Sequence, residues 1–508
     1  MIKFLCICLI LVLLASLFAA CGNDPLASDD ALGSAATDTA ALTEAGTDTA
    51  TTTDTEGVDD GEGEPQDEEI VLTEYPLDEN TDKIAETALG IEFCVSYDKG
   101  AVWVKAKSSG SIVSYSVYVD GTNTGVIKVS AFGTPIELPG TAEAAGEKVM
   151  IRLVLEDYDA QGVVSFKDVR VCGVLESMDF ESEGEPVEYN ISMHLNKFHV
   201  QGRSSVVDHA ITADWSASGI EFNATYVGSV YVAGKTNGNT VQFRVYVNGN
   251  ETGVVSFGAT QETKLLPGTL CLKETTANIR LVRLEYVKDG LATLKTVIVN
   301  GTVHKWEEER KFVEFIGDSI TCGFGSVTQD STKDGSRTFA YLTACEFDVD
   351  YSMVAISGIG VDESTDQHGD YTIGDFSKSN CWYRNQTAEY VPQRKADLVV
   401  VNLNTNDNNN GATEVSYKAE LKALLADIRA IHGADVNIVW IIGQMSAANC
   451  NPNQWLKAVF EELGGEAAGL YIIETTKNNS GGGAHPNYSN HKVTAEKLIS
   501  FIKEKNFL

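Results

Sequence analysis

The middle of the chain repeats itself. The stretch VYVDGTNTGV from Val117 recurs as VYVNGNETGV from Val245. Ile91-Glu92-Phe93 returns as Ile220-Glu221-Phe222, and Leu138-Pro139-Gly140 as Leu266-Pro267-Gly268. Ile151-Arg152-Leu153-Val154 returns as Ile279-Arg280-Leu281-Val282, and Val171-Cys172-Gly173 is answered by Val299-Asn300-Gly301. The offset is 129 residues at the first match and 128 at the rest, so one residue was gained or lost near Gly100. A period that long is a duplicated domain, not a solenoid. Apolar residues alternate within each copy, as in Val241, Phe243, Val245 and Val247. Asp120-Gly121 and Asn248-Gly249 sit between such runs and read as tight hairpin turns. The pattern predicts two tandem antiparallel β-sandwiches of jelly-roll type, each ~110 residues, over 70–180 and 181–308.

The copies differ. Cys94 and Cys172 of the first become Asn223 and Asn300 in the second. Paired change suggests neighbouring strands and a candidate disulfide, with two buried thiols as the alternative. The second copy also opens with His199-Val200-Gln201-Gly202-Arg203 and Ala213-Asp214-Trp215-Ser216-Ala217-Ser218-Gly219, which the first lacks. Arg203 and Trp215 are therefore candidates for substrate contact, or for a packing pair at a strand edge.

After Lys311 the pattern changes to strands alternating with helices, which means a parallel sheet covered on both faces. Strands are expected at Phe312–Ile316, Tyr351–Ile356, Asp397–Leu403, Val436–Ile442 and Leu470–Glu474, and helices most clearly at Thr413–Ile431 and His491–Lys505. Ligand sites in such sheets lie at the carboxyl ends of strands. Ser319 sits there, on the turn leaving the first strand, where a helix N-terminus is expected behind it. A serine nucleophile needs a base, and His485 lies on a loop before the last helix. An oxyanion needs donors fixed in advance. Gly358 after the second strand can offer a main-chain N–H, and Asn406 after the third a side-chain amide. Cys322 is a conceivable thiol nucleophile, Asp407 a structural partner, and His491 a capping or packing residue.

Taken together, Ser319, Gly358, Asn406 and His485 in this order resemble the four blocks of the SGNH (GDSL-type) hydrolases. Gly317-Asp318-Ser319-Ile320-Thr321 and the late His485-Pro486 carry that resemblance. A jelly roll with a Gly-Arg and an ADWSxSG segment, joined directly to this domain, further resembles carbohydrate esterase family 2 over roughly 194–508. That resemblance implies an SGNH catalytic domain over 309–508 that removes O-acetyl groups from plant polysaccharides. Ser319 would be the nucleophile, His485 the base, and Ser319 N–H, Gly358 N–H and the Asn406 amide the oxyanion hole. No metal or organic cofactor is implied. Trp382, like Trp215 and Arg203, would be a candidate sugar contact, with core packing the alternative. Two residues depart from the family pattern. Gly482 and Gly483 stand where an Asp would orient the histidine, so a Ser-His dyad held by a backbone carbonyl is expected. Asn404 stands where the family has Gly, and Asn tolerates positive φ. An inactive sugar-binding surface protein and an esterase for another ester are the competing readings.

The chain's 508 residues carry a formal charge of −34, from 72 acidic and 38 basic residues. That argues against nucleic acid, whose binding rests on Lys and Arg neutralising phosphates, and is compatible with a neutral glycan. Met1–Ala20 reads as a secretory signal. Leu17-Phe18-Ala19-Ala20-Cys21 resembles a bacterial lipobox, with Cys21 the lipidated residue. Residues 22–69 hold 15 acidic residues and no Lys or Arg, so they read as a disordered acidic linker. The expectation is a monomer at a bacterial surface, touching the membrane through its lipid anchor only and acting on acetylated glycans of the xylan or glucomannan class.

Overall fold

The structure is a computed structural model that describes residues 70–508 except 82, 88–89, 157–162, 178–185, 208–209, 286–289, 328–332 and 366–393. The signal, Cys21, the acidic linker and Trp382 lie outside the described residues. Among the described residues no helix is long and apolar enough to cross a membrane.

Each repeat builds the same hairpin. In the first copy Val113–Val119 and Thr122–Val129 pair across Asp120-Gly121, whose φ values are 46° and 80°. In the second, Val241–Val247 and Asn250–Phe257 pair across Asn248-Gly249, with φ 52° and 77°. Two successive positive φ values are the type I′ turn that Asx-Gly favours. Asp120 and Asn248 each accept a main-chain N–H from the next strand, from Met150 and Asn278, both at 2.9 Å. Cross-strand partners also coincide. Phe93 faces Ile151 as Phe222 faces Ile279, and Glu92 faces Arg152 as Glu221 faces Arg280.

Both copies are antiparallel β-domains, as expected. The first divides into a four-stranded and a six-stranded sheet, with Phe93, Val104, Val117, Ile151 and Val169 between them. In the second, ten strands join as one sheet, because Gly219–Thr236 runs 18 residues and serves both layers. Its first half pairs with Cys271–Arg283 and its second with Glu262–Leu265. The bend falls at Gly228, with φ 78° and a register slip between Val227 and Val230. A bulge there turns the strand from one layer into the other.

The candidate disulfide is absent: Cys94 and Cys172 are both free. They do lie on neighbouring runs of chain, but Cys94 faces Glu176 while Cys172 precedes the Gly173–Tyr97 pair. Four residues of offset along a strand is roughly 13 Å, beyond the ~7 Å that a disulfide can bridge.

The last domain holds five parallel strands, β1 (Phe312–Gly317), β2 (Asp350–Ala355), β3 (Leu398–Asn402), β4 (Asn437–Ile442) and β5 (Leu470–Glu474), in the order β2-β1-β3-β4-β5. Among the described residues its α-helices are α1 (Phe339–Glu346), α2 (Thr405–Asn410), α3 (Glu414–His432), α4 (Asn451–Glu462) and α5 (Tyr488–Lys505). The last begins three residues before His491, because Asn487 caps it and Asn490 completes a reciprocal capping box. His491 packs, stacked on Phe339 and accepting its N–H at 3.2 Å.

Arg203 and Trp215 are packing residues and not sugar contacts. Both are fully buried where the second β-domain meets the parallel sheet, so neither presents a surface to a sugar. Trp215 belongs to the apolar core of the sheet domain, together with Ala217, Tyr246 and Val282 of the β-domain. Arg203 pairs with Glu314 of β1, whose other oxygen meets His432 of α3. Burial alone would raise the Glu314 pKa. Arg203 and His432 outweigh it and hold the carboxylate below its usual range. Further buried pairs line the same seam, from Arg244 to Asp334 and Glu251 and from Arg337 to Glu251. Such pairs tolerate no missing partner, because an uncompensated buried charge is costly.

Candidate active site

Chain geometry delivers Ser319 to the top of β1. The expected helix behind it is absent. A single turn follows instead, closed by Cys322 N–H to the Asp318 carbonyl at 3.1 Å and Phe324 N–H to the Ser319 carbonyl at 2.9 Å. Gly323 and Gly325 then take positive φ, and α1 begins only at Phe339. Ser319 is therefore presented by a glycine-punctuated loop. Asp318 beneath it is fully buried, its carboxylate accepting Ile320 N–H at 2.9 Å. Burial pushes its pKa up to about 7.

The histidine loop docks on that serine loop backbone to backbone. Gly482 N–H donates to the Gly325 carbonyl at 3.1 Å, and any side chain on Gly325 would collide with the Gly482 main chain. Gly481 N–H closes the loop on the His485 carbonyl at 2.7 Å. This brings His485 Nε2 to 2.8 Å from Ser319 Oγ. On the far side of the ring, Nδ1 lies 2.9 Å from the Gly483 carbonyl oxygen. A carbonyl can only accept, so Nδ1 carries the hydrogen and Nε2 is free to take the serine proton. The carbonyl thus sets the tautomer that an aspartate sets in a triad. Phe324 supports the ring from one face, its centroid 4.5 Å away. Desolvation lowers the His485 pKa, with main-chain hydrogen bonds from the Gly482–Gly483 loop opposing it in part.

Asn406 stands in the first turn of α2, just past the loop after β3, and Gly358 lies on the loop after β2; both are buried. Gly358 has φ 87°. Asn406 donates one amide hydrogen to the Ile359 carbonyl at 2.8 Å. That bond orients the amide and leaves its second hydrogen for a ligand. Asp407, also in α2, ties that helix to the loop after β2. Its carboxylate accepts Val361 N–H at 2.9 Å and Asp362 N–H at 2.8 Å. Those bonds make its part structural, and burial raises its pKa to about 6 against them. Asn404 takes φ 89° and the turn survives. Its side chain accepts from Tyr417 OH and donates to Asn453 Oδ1, both at 2.7 Å. Cys322 is buried, and its thiol donates to the Ser319 carbonyl at 3.3 Å. It braces the turn.

Sequence reasoning missed Gly325 and Phe324; it expected a backbone carbonyl behind His485, and the structure identifies that carbonyl as Gly483's. The Cys322-Gly323-Phe324-Gly325 and Gly481-Gly482-Gly483 runs were the available signal, since dense glycine marks close backbone approach.

Residues 315–491 match the GDSL-like Lipase/Acylhydrolase family. The chain is 26% identical over 327 residues to the cellulase/esterase CelE of Acetivibrio thermocellus, covering 57% of this chain and 37% of that protein. It is 25% identical over 228 residues to an acetylxylan esterase/glucomannan deacetylase of Cellvibrio japonicus, covering 39% of this chain and 60% of that one. It therefore spans well under the full length of either relative. A solved family two carbohydrate esterase from Clostridium thermocellum, in complex with cellohexaose, superposes with a TM-score of 0.55 at 25% identity, over 61% of this chain and 100% of that one.

Proposed function

We propose that this chain, a GDSL-type SGNH hydrolase similar to the family two carbohydrate esterases, removes O-acetyl groups from polysaccharides or oligosaccharides of the xylan or glucomannan class. The observation that carries the reading is the 2.8 Å approach of His485 Nε2 to Ser319 Oγ, with the other ring nitrogen held by a carbonyl. Ser319 Oγ attacks the acetyl carbonyl as His485 takes its proton. The oxyanion is received by the N–H groups of Ser319 and Gly358 and the free amide hydrogen of Asn406. His485 then protonates the departing sugar hydroxyl, leaving an acetyl-enzyme. Water repeats the cycle and releases acetate. The lipobox and the acidic linker support a protein tethered through Cys21 to the outside of a bacterial cell.

Acetate release from acetylated xylan and acetylated glucomannan tests the reading, with Ser319→Ala and a long-chain ester alongside. Release that depends on Ser319 and exceeds long-chain turnover is expected. Long-chain turnover with no acetate from either polymer would move the assignment to another ester. No turnover by folded protein would favour a binding protein.

A further inference from the structure

The repeat sets up a comparison between two seams. The second copy grips the hydrolase domain with the face that carries Glu221, Arg280 and Tyr246. There Glu221 pairs with Arg280 at 3.1 Å and Arg310 at 2.8 Å, and Tyr246 packs on Tyr341. The first copy turns the same face, carrying Glu92, Arg152 and Tyr118, toward the second copy. The Leu266-Pro267-Gly268 turn of the second copy docks there, with Gly268 N–H donating to Glu92 at 3.2 Å and Arg152 lying against Gly268.

This seam is not filled. It leaves a cleft of about 720 Å³ whose walls come from both copies. Glu92 lines it at 6% exposure, and among the described residues the Gly268 N–H is its one hydrogen bond. No Lys or Arg lies between Arg170 and Lys197 to do for Glu92 what Arg310 does for Glu221. The outcome differs accordingly. Burial raises the Glu92 pKa with Arg152 and Gly268 only partly offsetting it, whereas Arg280 and Arg310 overcome burial and lower that of Glu221. Arg152 Nε is also buried with no hydrogen-bond partner among the described residues, as are Arg280 Nε and Arg310 Nε at the other seam, so the carboxylate is what sets the two seams apart. Its guanidinium lies over the Tyr118 ring at 4.9 Å.

The walls say what would fit. Glu92, Asp120 and Glu176 are balanced by Lys148, Arg152 and Lys273, so no net charge selects an ion. Tyr118 and Tyr226 add aromatic surface, and Asn248 and Asn250 add amides. The volume lies within the ~300–1,000 Å³ of small-molecule sites. A buried carboxylate and a buried guanidinium N–H side by side want a donor and an acceptor together, which vicinal hydroxyls supply, and charged partners make the stronger hydrogen bonds. We infer that this cleft is a second carbohydrate site, which takes a short neutral oligosaccharide with Glu92 and Arg152 holding one pair of hydroxyls. The inference rests on the chemistry of the cleft and stands whether or not Ser319 hydrolyses an acetyl ester.

The test uses the full chain with Ser319→Ala and three probes: xylohexaose, cellohexaose and mannohexaose. Binding is read by calorimetry and by amide hydrogen exchange. At least one probe should protect residues 90–97 and 266–277, apart from any protection around Ser319 and His485. Adding Glu92→Gln, which keeps the shape of the side chain, should weaken that binding at least tenfold and remove the protection at the cleft alone. Tyr118→Ala, in a less buried position, should do the same and covers the case in which Glu92→Gln fails to fold. The inference is overturned if none of the probes protects those segments, or if protection there survives in the folded variants.

Discussion

Adding a carboxylate beside the proposed Ser319–His485 dyad should damage it. Gly483→Asp places an acid two residues before the base, where some esterases of the resembled family carry one. But Gly483 has φ 58°, a conformation that costs an L-residue about 1–2 kcal/mol. A Cβ there would also stand 2.8 Å from Phe324 Cε1. Phe324 cannot withdraw freely, because its ring supports His485 and its N–H is bound to the Ser319 carbonyl. The displaced group is the carbonyl that holds Nδ1. A ~1 Å misplacement of a reacting group can cost about 100-fold, so kcat/KM should fall roughly 10- to 100-fold, or about 1.4–2.7 kcal/mol. Steady-state acetate release is the assay, with Gly483→Ala as the partner variant. Alanine brings the same strain and collision without the acid, so the ratio of the two isolates the carboxylate. The reasoning is refuted if Gly483→Ala is near wild type and Gly483→Asp equals or exceeds it, for the carbonyl would then not be what holds the ring.

Four other outcomes are expected. As the proposed base, His485 must be neutral to act, and desolvation holds its pKa below the usual 6.5. The acid limb of the kcat/KM–pH profile should therefore turn below pH 6.5, and a midpoint above that value would contradict the carbonyl-held, partly desolvated imidazole. Glu314→Gln leaves the buried Arg203 without its counter-ion and should destabilise by about 3–5 kcal/mol; urea unfolding checks this, and a loss under about 1 kcal/mol would make the seam's ion pairs incidental. Asn404→Gly relieves the positive φ but strips Tyr417 OH and Asn453 of partners, so stability should drop by about 1–3 kcal/mol, and a thermal melt that holds or rises would say the wiring is idle. Cys21→Ala should abolish labelling by radioactive palmitate in a bacterial host and release the protein from the membrane fraction; retained label would place the anchor elsewhere.

What could be read in the residues was whatever is local. Hairpin turns need Asx-Gly, so Asp120-Gly121 and Asn248-Gly249 were visible from the dipeptides alone. Strand-loop order put Ser319, Gly358, Asn406 and His485 at one edge of a sheet, and the absence of Asp at Gly482 and Gly483 pointed to a backbone carbonyl. What could not be read was long-range. Whether Arg203 faces solvent or another domain depends on Glu314, 111 residues away, and Trp215 is likewise buried by the distant core of the sheet domain. A large aromatic beside an arginine has the same local pattern on a binding surface and in an interdomain seam. The disulfide failed for a related reason. Paired substitution reported neighbouring runs of chain, while bridging depends on register, which shifts the two sulfurs apart along the strand.

The two seams argue for how the chain came to be arranged. Both copies carry the same Glu-Arg-Tyr face, as Glu92, Arg152 and Tyr118 and as Glu221, Arg280 and Tyr246. In the second copy the carboxylate of that face is doubly paired: Arg310 of the connecting segment joins Arg280 on Glu221, and Trp215 and Arg203 pack against the sheet domain beside it. In the first copy the same face meets another β-domain, which brings no Arg310 and no matching Trp. A buried Glu92 without compensation would be a liability of several kcal/mol if it stayed ionised and dry. Keeping it beside an open cleft lets water or a polyol supply the missing hydrogen bonds. On this argument Arg310→Ala should make Glu221 behave like Glu92, with its carboxyl pKa rising. Carbon-13 NMR of the labelled Glu221 carboxyl, titrated from pH 3 to 8, reads that rise, and an unchanged midpoint would mean that Arg280 alone balances the face and that the two seams differ for another reason.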